Sequence, residues 1–431
     1  MSPDKVNTRF LIVICSIAAM CQFAAGFEIG RTNSYYNSHS SLETTLFITS
    51  LLLGLSVGSY CVKFLSKRFG RRRLMIISAM LLLCGTALNI IDGLITTVIA
   101  RAIDGIACGI GSTVAPIYIN EIATSEFSGK FGALNQICMT LGLCTISVFQ
   151  LISLTETALI WWQISYIIFI GMVIIHICCL IFLVPDSPHS CIERGDLSHA
   201  KATLRRLMNN PGHVIDELEV TRNFVRIDPE SYSGIKIALL CAFALSTCGY
   251  DYAVSYSIML WINNDKFTAI VLGCSLLFST VILNFLVLCF SERTLQLGMH
   301  RKPVFVIGLC AIGMINFIHG FVKAIGADSD ESHIVLVFLF FCAFQSTVGP
   351  FYWIYLPEVL KMKEISYPMS LMWGIQCVTA VAFAYKKKPE ADTVYYFVFS
   401  YFSFVSALLI SRYAIETKGR PWTVIVPMLN E

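Results

Sequence analysis

Long apolar runs separated by short charged or turn-forming intervals organise the whole chain, and twelve such runs can be marked. They cover residues 10–30, 44–64, 74–91, 94–119, 131–153 and 159–184, then 235–262, 267–290, 304–324, 334–359, 366–385 and 394–414. About 20 residues of helix cross the hydrocarbon core of a bilayer, so each run has the right length to span it. In lipid only helices or closed barrels satisfy every backbone polar group, and these runs lack the two-residue alternation of barrel strands. The pattern therefore predicts twelve transmembrane helices. The longest interval between runs, 185–234, is polar, and Leu197, Ala200, Leu204 and Leu207 recur in it at helical spacing. It reads as short amphipathic helices at the membrane surface. It also divides the chain into a six-span half over 1–184 and a second over 235–415, with a tail over 416–431.

Composition narrows the class to an integral membrane protein. Of the 431 residues 56% are hydrophobic and 14% charged, and the mean hydropathy is +0.70, whereas an ordinary soluble domain carries roughly 25% charge. The net charge of +3 gives no broad basic surface, and no nucleic-acid partner is expected. The 17 cysteines fall almost wholly inside apolar runs, as small core residues do. No metal-ligand spacing appears, so no metal and no cofactor are expected. With both termini cytoplasmic, most of the 31 Lys and Arg fall on the cytoplasmic side, as the positive-inside rule requires. Lys386, Lys387 and Lys388 are the discordant cluster, and Arg31 is counted outside.

Within the apolar runs a few charges stand out. Arg101 lies in the fourth run beside Gly105 and Gly109, and an arginine at the centre of a bilayer costs roughly 2.5–3.5 kcal/mol on insertion scales. Glu28 interrupts the first run and is the candidate partner. A carboxyl that gains and loses an arginine neighbour changes its protonation, which makes the pair a candidate for proton coupling; a static ion pair between two helices is the alternative. Asp104, one turn from Arg101, is a rival partner. Asp251 sits near a break in the seventh run, either in a cavity or at the outer end.

The two halves echo each other. Residues 67–73, Lys-Arg-Phe-Gly-Arg-Arg-Arg, answer Glu292, Arg293, Gly298, Arg301 and Lys302; residues 116–121, Pro-Ile-Tyr-Ile-Asn-Glu, answer Trp353 to Glu358; Pro185-Asp-Ser-Pro-His189 answers Glu416 to Arg420. Repeated halves with charged loops at matching places mark a carrier whose halves rock about a central site. At these residues, together with the block from Arg101 to Gln136, the chain resembles the sugar porter family of the major facilitator superfamily.

That resemblance covers essentially the whole chain. It implies an all-α membrane protein with the major facilitator fold, twelve transmembrane helices in two pseudo-symmetric six-helix bundles, and transport of a sugar, polyol or related small polar solute by alternating access. It places a cytoplasmic gate at Gly70, Arg71, Arg72, Glu121, Glu358, Glu416 and Arg420, with ion pairs between the halves holding that face shut. It places solute-binding groups at Gln136, Trp353, Asp251, Ser246, Thr280 and Gln376, and proton coupling at Glu28 and Arg101. The implied partners are the solute, protons and membrane lipids, and the implied location is the plasma membrane.

The chain also departs from the family pattern. Lys67, Ser128 and His189 stand where the motifs have other residues, which predicts a thinner gate. Leu245 and Ser246 replace a glutamine pair, Asp251 an asparagine, Gln345 a glutamate, and Gln376 with Cys377 an Asn-Trp pair. Glucose is therefore not assumed. A passive carrier, a proton symporter, a non-transporting sugar sensor and an organic-ion carrier all stay open.

Overall fold

A computed structural model describes the chain except residues 1–6, 32–40, 67, 92, 124–127, 153–157, 209–213, 215–217, 220–231, 255–299, 328, 385–389, 419, 421–424, 426–427 and 429–431. The described residues are almost entirely helical. The N-terminal half contains α1 (Thr8–Gly30), α2 (Ser41–Leu65), α3 (Arg71–Leu88), α4 (Leu94–Ile122), α5 (Ser128–Ile152) and α6 (Ala158–Phe182). Two short helices follow, α7 (Pro188–Glu193) and α8 (Leu197–Leu207). The second half contains α9 (Tyr232–Thr247), α10 (Arg301–Ala324), α11 (Asp330–Ser346), α12 (Val348–Val359), α13 (Met362–Ala384) and α14 (Glu390–Tyr413). Every predicted run has a helix in place except 267–290, which lies outside the described residues, as do Thr280 and the lysines at 386–388.

Nine helices among the described residues are long and apolar enough to cross a membrane. Their outer faces carry Ile175, Phe182, Ile307 and Leu408, all strongly exposed, where lipid tails rather than water are the natural solvent. This is a multi-pass integral membrane protein built of two helical bundles. In the connecting segment, Ala200, Leu204 and Leu207 are buried, as their helical spacing predicted, while Leu197 is exposed.

In the N-terminal bundle α2 packs most closely on α4, and the reason is in the glycines. Gly54 and Gly58 face Gly105 and Gly109 so tightly that a Cβ at any of them would come within 2.2–2.5 Å of a carbonyl oxygen on the opposite helix. Small residues four apart on both helices are the usual device for close crossing in lipid, where dispersion contacts replace the hydrophobic drive. The two glycines that first marked the Arg101 segment thus bring its helix against α2.

Two spans of the second half are broken. The seventh kinks at Cys248 and Gly249, where a φ of +94° favours glycine, and helix resumes at Tyr250. The tenth breaks at Thr347, whose φ of −130° and ψ of −81° are not helical, between α11 and α12. The first break was legible from its glycine; the second was read as one continuous run. Across the seam between halves α2 meets α13 and α5 meets α12.

Candidate functional site

At one end of the molecule, formed by residues 63–71 and 121, charged groups gather. Arg71 donates to Glu121 at 2.6 Å and to Glu193 of α7 at 2.5 Å. Ser187 donates to the other oxygen of Glu121, and Arg194 pairs with Asp186. Gly70 makes room for that last pair, because a Cβ there would stand 2.1 Å from Asp186 Oδ2. Arg72, expected in an ion pair, instead donates to the carbonyls of Leu180 and Ile181 at the end of α6. His189 carries no compensating charge: burial pushes its imidazole below the ordinary value. In the second half Arg301 pairs with Glu358 at 2.8 Å, and Glu358 also accepts from Thr417. Arg420 donates to Met428 Sδ at 2.8 Å and does not join them.

Among the described residues each of these ion pairs lies within one half or joins a half to the short helices. Among the described residues, hydrogen bonds cross between the halves: Asn120 Nδ2 to the Pro357 carbonyl at 2.9 Å, Lys63 Nζ to Tyr367 Oη at 2.5 Å, and Ser56 Oγ to the Ser370 carbonyl at 2.9 Å. The proline-bearing ends of α4 and α12 thus meet where Asn120 and Pro357 precede the two glutamates.

Glu416 plays a different part from pairing. Its carboxylate accepts the backbone N–H of Arg301 and Lys302 at 3.0 and 3.1 Å, capping the N-terminus of α10, and that of Lys418 at 3.0 Å. Desolvation would raise this carboxyl, but the three N–H donors hold it below the ordinary carboxylate value. A depressed acid contributes stability above its unfolded value, near pH 4.3, and loses it as pH falls through the folded value. Glu416→Gln is expected to lose about 1 kcal/mol at neutral pH. The gap between the two thermal midpoints should close on acidification; a constant gap would refute the cap.

Deeper in, polar side chains of the two halves meet. Gln136 of α5 donates from Nε2 to Gln345 Oε1 at 2.8 Å and accepts on Oε1 from Trp353 Nε1 at 2.8 Å. Both Gln136 and Trp353 are buried. Thr140 donates to Gln345 at 3.5 Å, and Tyr250 stacks on Phe344 at 4.2 Å beside it. The Tyr250 hydroxyl and, elsewhere in the second half, Trp373 Nε1, Gln376 Oε1 and Asp251 Oδ2 are buried without a hydrogen-bond partner. Ser246, expected to bind solute, is used locally, donating to the Ala242 and Met372 carbonyls. Gln345, Tyr250 and Trp373 were not among the expected binding residues; Tyr250 shows only as the neighbour of Asp251, and Trp373 carries no periodic signal of its own.

The buried charges form a separate group. Glu28 accepts from Arg101 Nη1 on Oε2 and from Arg31 Nη1 on Oε1, both at 2.8 Å, and all three side chains are fully buried. Arg101 Nη1 also donates to the Glu28 carbonyl at 2.9 Å. The guanidinium of Arg31 lies 3.9 Å from the ring centre of Tyr166, and that of Arg101 lies 4.1 Å from Phe47. The sequence pairing of Glu28 with Arg101 is thus the geometry found. Arg31, assigned to an outer loop because the apolar run stops at Gly30, is a second partner. Asp104 does not compete for Arg101; its Oδ2 accepts from Asn89 Nδ2 at 2.7 Å. Gly26 packs on Met139 and Gly30 on Ile146, so Glu28 stands about 10 Å beyond Gln136 along the bundle. The charge group and the Gln136 group are neighbours at different depths.

Comparison with known proteins identifies the family and the fold. The chain is 24% identical over 95% of its length to the plastidic glucose transporter 4 of Arabidopsis thaliana, of which it covers 78%. It is 25% identical over 87% of its length to the arabinose-proton symporter of Bacillus subtilis, of which it covers 86%. In fold it matches the proton:xylose symporter XylE bound to 6-bromo-6-deoxy-D-glucose, with a TM-score of 0.87 at 18% identity over 99% of this chain and 100% of that one. The family model described as sugar (and other) transporter matches residues 11–429. With both bundles, their seam and the two buried groups spanned by that match, the chain belongs to the sugar (and other) transporter family.

Proposed function

We propose that the chain carries a sugar, a polyol or a related small polar solute by alternating access, with the solute held between the halves at the Gln136 group. The observation that carries this reading is the Gln345–Gln136–Trp353 chain of hydrogen bonds, which joins the halves through groups whose bonds a hydroxyl-rich solute can replace. Unpartnered buried atoms on Tyr250, Trp373 and Gln376 supply further donors and acceptors in the second half. Leaving such atoms unmade costs about 1–3 kcal/mol each, so a solute that satisfies them binds at their expense. An indole and an amide together suit a ring with one apolar face and several hydroxyls. Asp251 and Gln376 belong to this reading as flanking acceptors, and Thr280 is retained in it from the sequence pattern.

The charged end is the gate in this proposal, at the cytoplasmic face of the plasma membrane, with both termini on that side. Gly70, Arg71, Glu121, Glu358 and Glu416 organise the rim within each half, Arg72 anchors the end of α6, and Arg420 is assigned only by its motif. Opening then requires the hydrogen bonds from Asn120 and Lys63 to break while the rims stay intact.

Proton coupling is the second reading, supported by the charge group at Glu28 and Arg101, where acids are buried beside paired cations. A solute screen in proteoliposomes at two pH values tests both. Uptake of at least one hydroxylated solute is expected, with accumulation driven by an inward proton gradient. Solute-induced stabilisation of the purified protein without flux would instead select a sensor. Competition by organic cations alone would select an organic-ion carrier.

A further inference from the structure

The buried charge group contains two acids, and their surroundings differ. Each carboxylate oxygen of Glu28 is bound to a different arginine, so both ends of the group are charge-assisted. Asp104, also fully buried, has one oxygen on Asn89 Nδ2, while Oδ1 has no hydrogen-bond partner. Gly85 of α3 leaves that oxygen its room, since a Cβ there would lie 2.2 Å from Oδ1.

A buried carboxylate oxygen with no donor is expensive, whereas a protonated carboxyl brings its own hydrogen to that position. The remaining guanidinium N–H groups of Arg31 and Arg101, which have no hydrogen-bond partner, lie against the faces of Tyr166 and Phe47. Among the described residues, Asp104 faces Glu28 of α1 and Arg31 just past its end, Arg101 and Cys108 from its own helix, and Asn89 from the end of α3; Tyr166 of α6 also surrounds it, and Cys21 of α1 lies beside Cys108. Protonating Glu28 would strip two arginines of their shared acid, whereas protonating Asp104 leaves both of those bonds in place.

We propose that Asp104, rather than Glu28, is the protonatable carboxyl of this group, taking one proton on Oδ1 from water and returning it to water, with Glu28 as the fixed counter-charge between two arginines. As a transport group Asp104 rests on the proton-coupled reading; as the site of protonation it stands on this geometry alone. In the ionised state two acids balance two arginines, and uptake of the proton leaves one net positive charge buried against aromatic faces.

Infrared difference spectra of the purified full-length protein between neutral and acid pH test the site with protons alone. The wild type is expected to show a protonated-carboxyl C=O band from a buried acid that Asp104→Asn removes. In Asn89→Ala, which keeps both acids, the band should move to higher wavenumber because its carbonyl loses the amide donor. A band retained in Asp104→Asn, or unmoved in Asn89→Ala, or no buried-carboxyl band in the wild type, overturns the proposal. Gradient-independent uptake in the proteoliposome screen would overturn the coupled reading instead, and the infrared result would still identify the protonated acid.

Discussion

Glu28→Gln is expected to be among the most destabilising single substitutions in this chain. It removes the carboxylate that binds Arg31 and Arg101 at 2.8 Å each and leaves both cations fully buried. Breaking a buried pair by removing one partner costs about 3–5 kcal/mol, because the desolvation already suffered by the survivor is no longer repaid. Here there are two survivors. The thermal midpoint of the detergent-purified protein should fall sharply, and the double variant Glu28→Gln, Arg31→Gln should recover part of the loss by withdrawing one uncompensated charge. A single variant as stable as the wild type would show that the group is solvated, and the triad would have to be abandoned.

Gln136→Ala should have the largest effect on solute handling. The side chain joins Gln345 of one half-span to Trp353 of the next, both at 2.8 Å, from the other bundle. Removing it takes the acceptor from the Trp353 indole N–H and one donor from the Gln345 carbonyl, and it deletes a donor and an acceptor from the proposed solute position. A loss of about 1–3 kcal/mol corresponds to roughly fivefold to 150-fold weaker binding. Apparent affinity measured by concentration-dependent uptake, for the solute selected in the screen, should drop on that scale while protein yield stays near normal. Unchanged affinity would remove Gln136 from the site.

Much of the fold was legible because lipid enforces a simple rule. A segment that stays apolar for twenty residues must satisfy its backbone internally, so helices and their number follow from the pattern alone. Breaks within spans are less legible. Gly249 announces itself, since a positive φ suits glycine, but Thr347 has no such signature and departs from helix where α11 gives way to α12. The Glu28–Arg101 pair could be read from two costly charges that each needed a partner. Arg31 could not, because hydropathy ends the first run at Gly30 and assigns the next cation to water, while the aromatic faces of Tyr166 and Phe169 that shelter it come from residues far along the chain. Asp104 was read against its sequence neighbour Arg101, yet the tertiary approach of Asn89 decided its partner. The charged cluster at one end was legible as a set of residues but its pairing was not, because motif spacing fixes where charges gather and says nothing of which bundle each one faces.

That pairing has a consequence for the medium in which the carrier works. Dissolved salt screens exposed ion pairs over a length of about 8 Å at physiological ionic strength, but it does little to a hydrogen bond between neutral groups. The ion pairs of Arg71 and Arg301 hold each bundle's own rim, whereas Asn120–Pro357 and Ser56–Ser370 tie one bundle to the other through neutral partners. Because the Arg71–Glu121 and Arg301–Glu358 side chains are at most 11% exposed, salt screens them far less than it screens surface pairs, so changing ionic strength should disturb neither these rims nor the neutral bonds of the seam strongly.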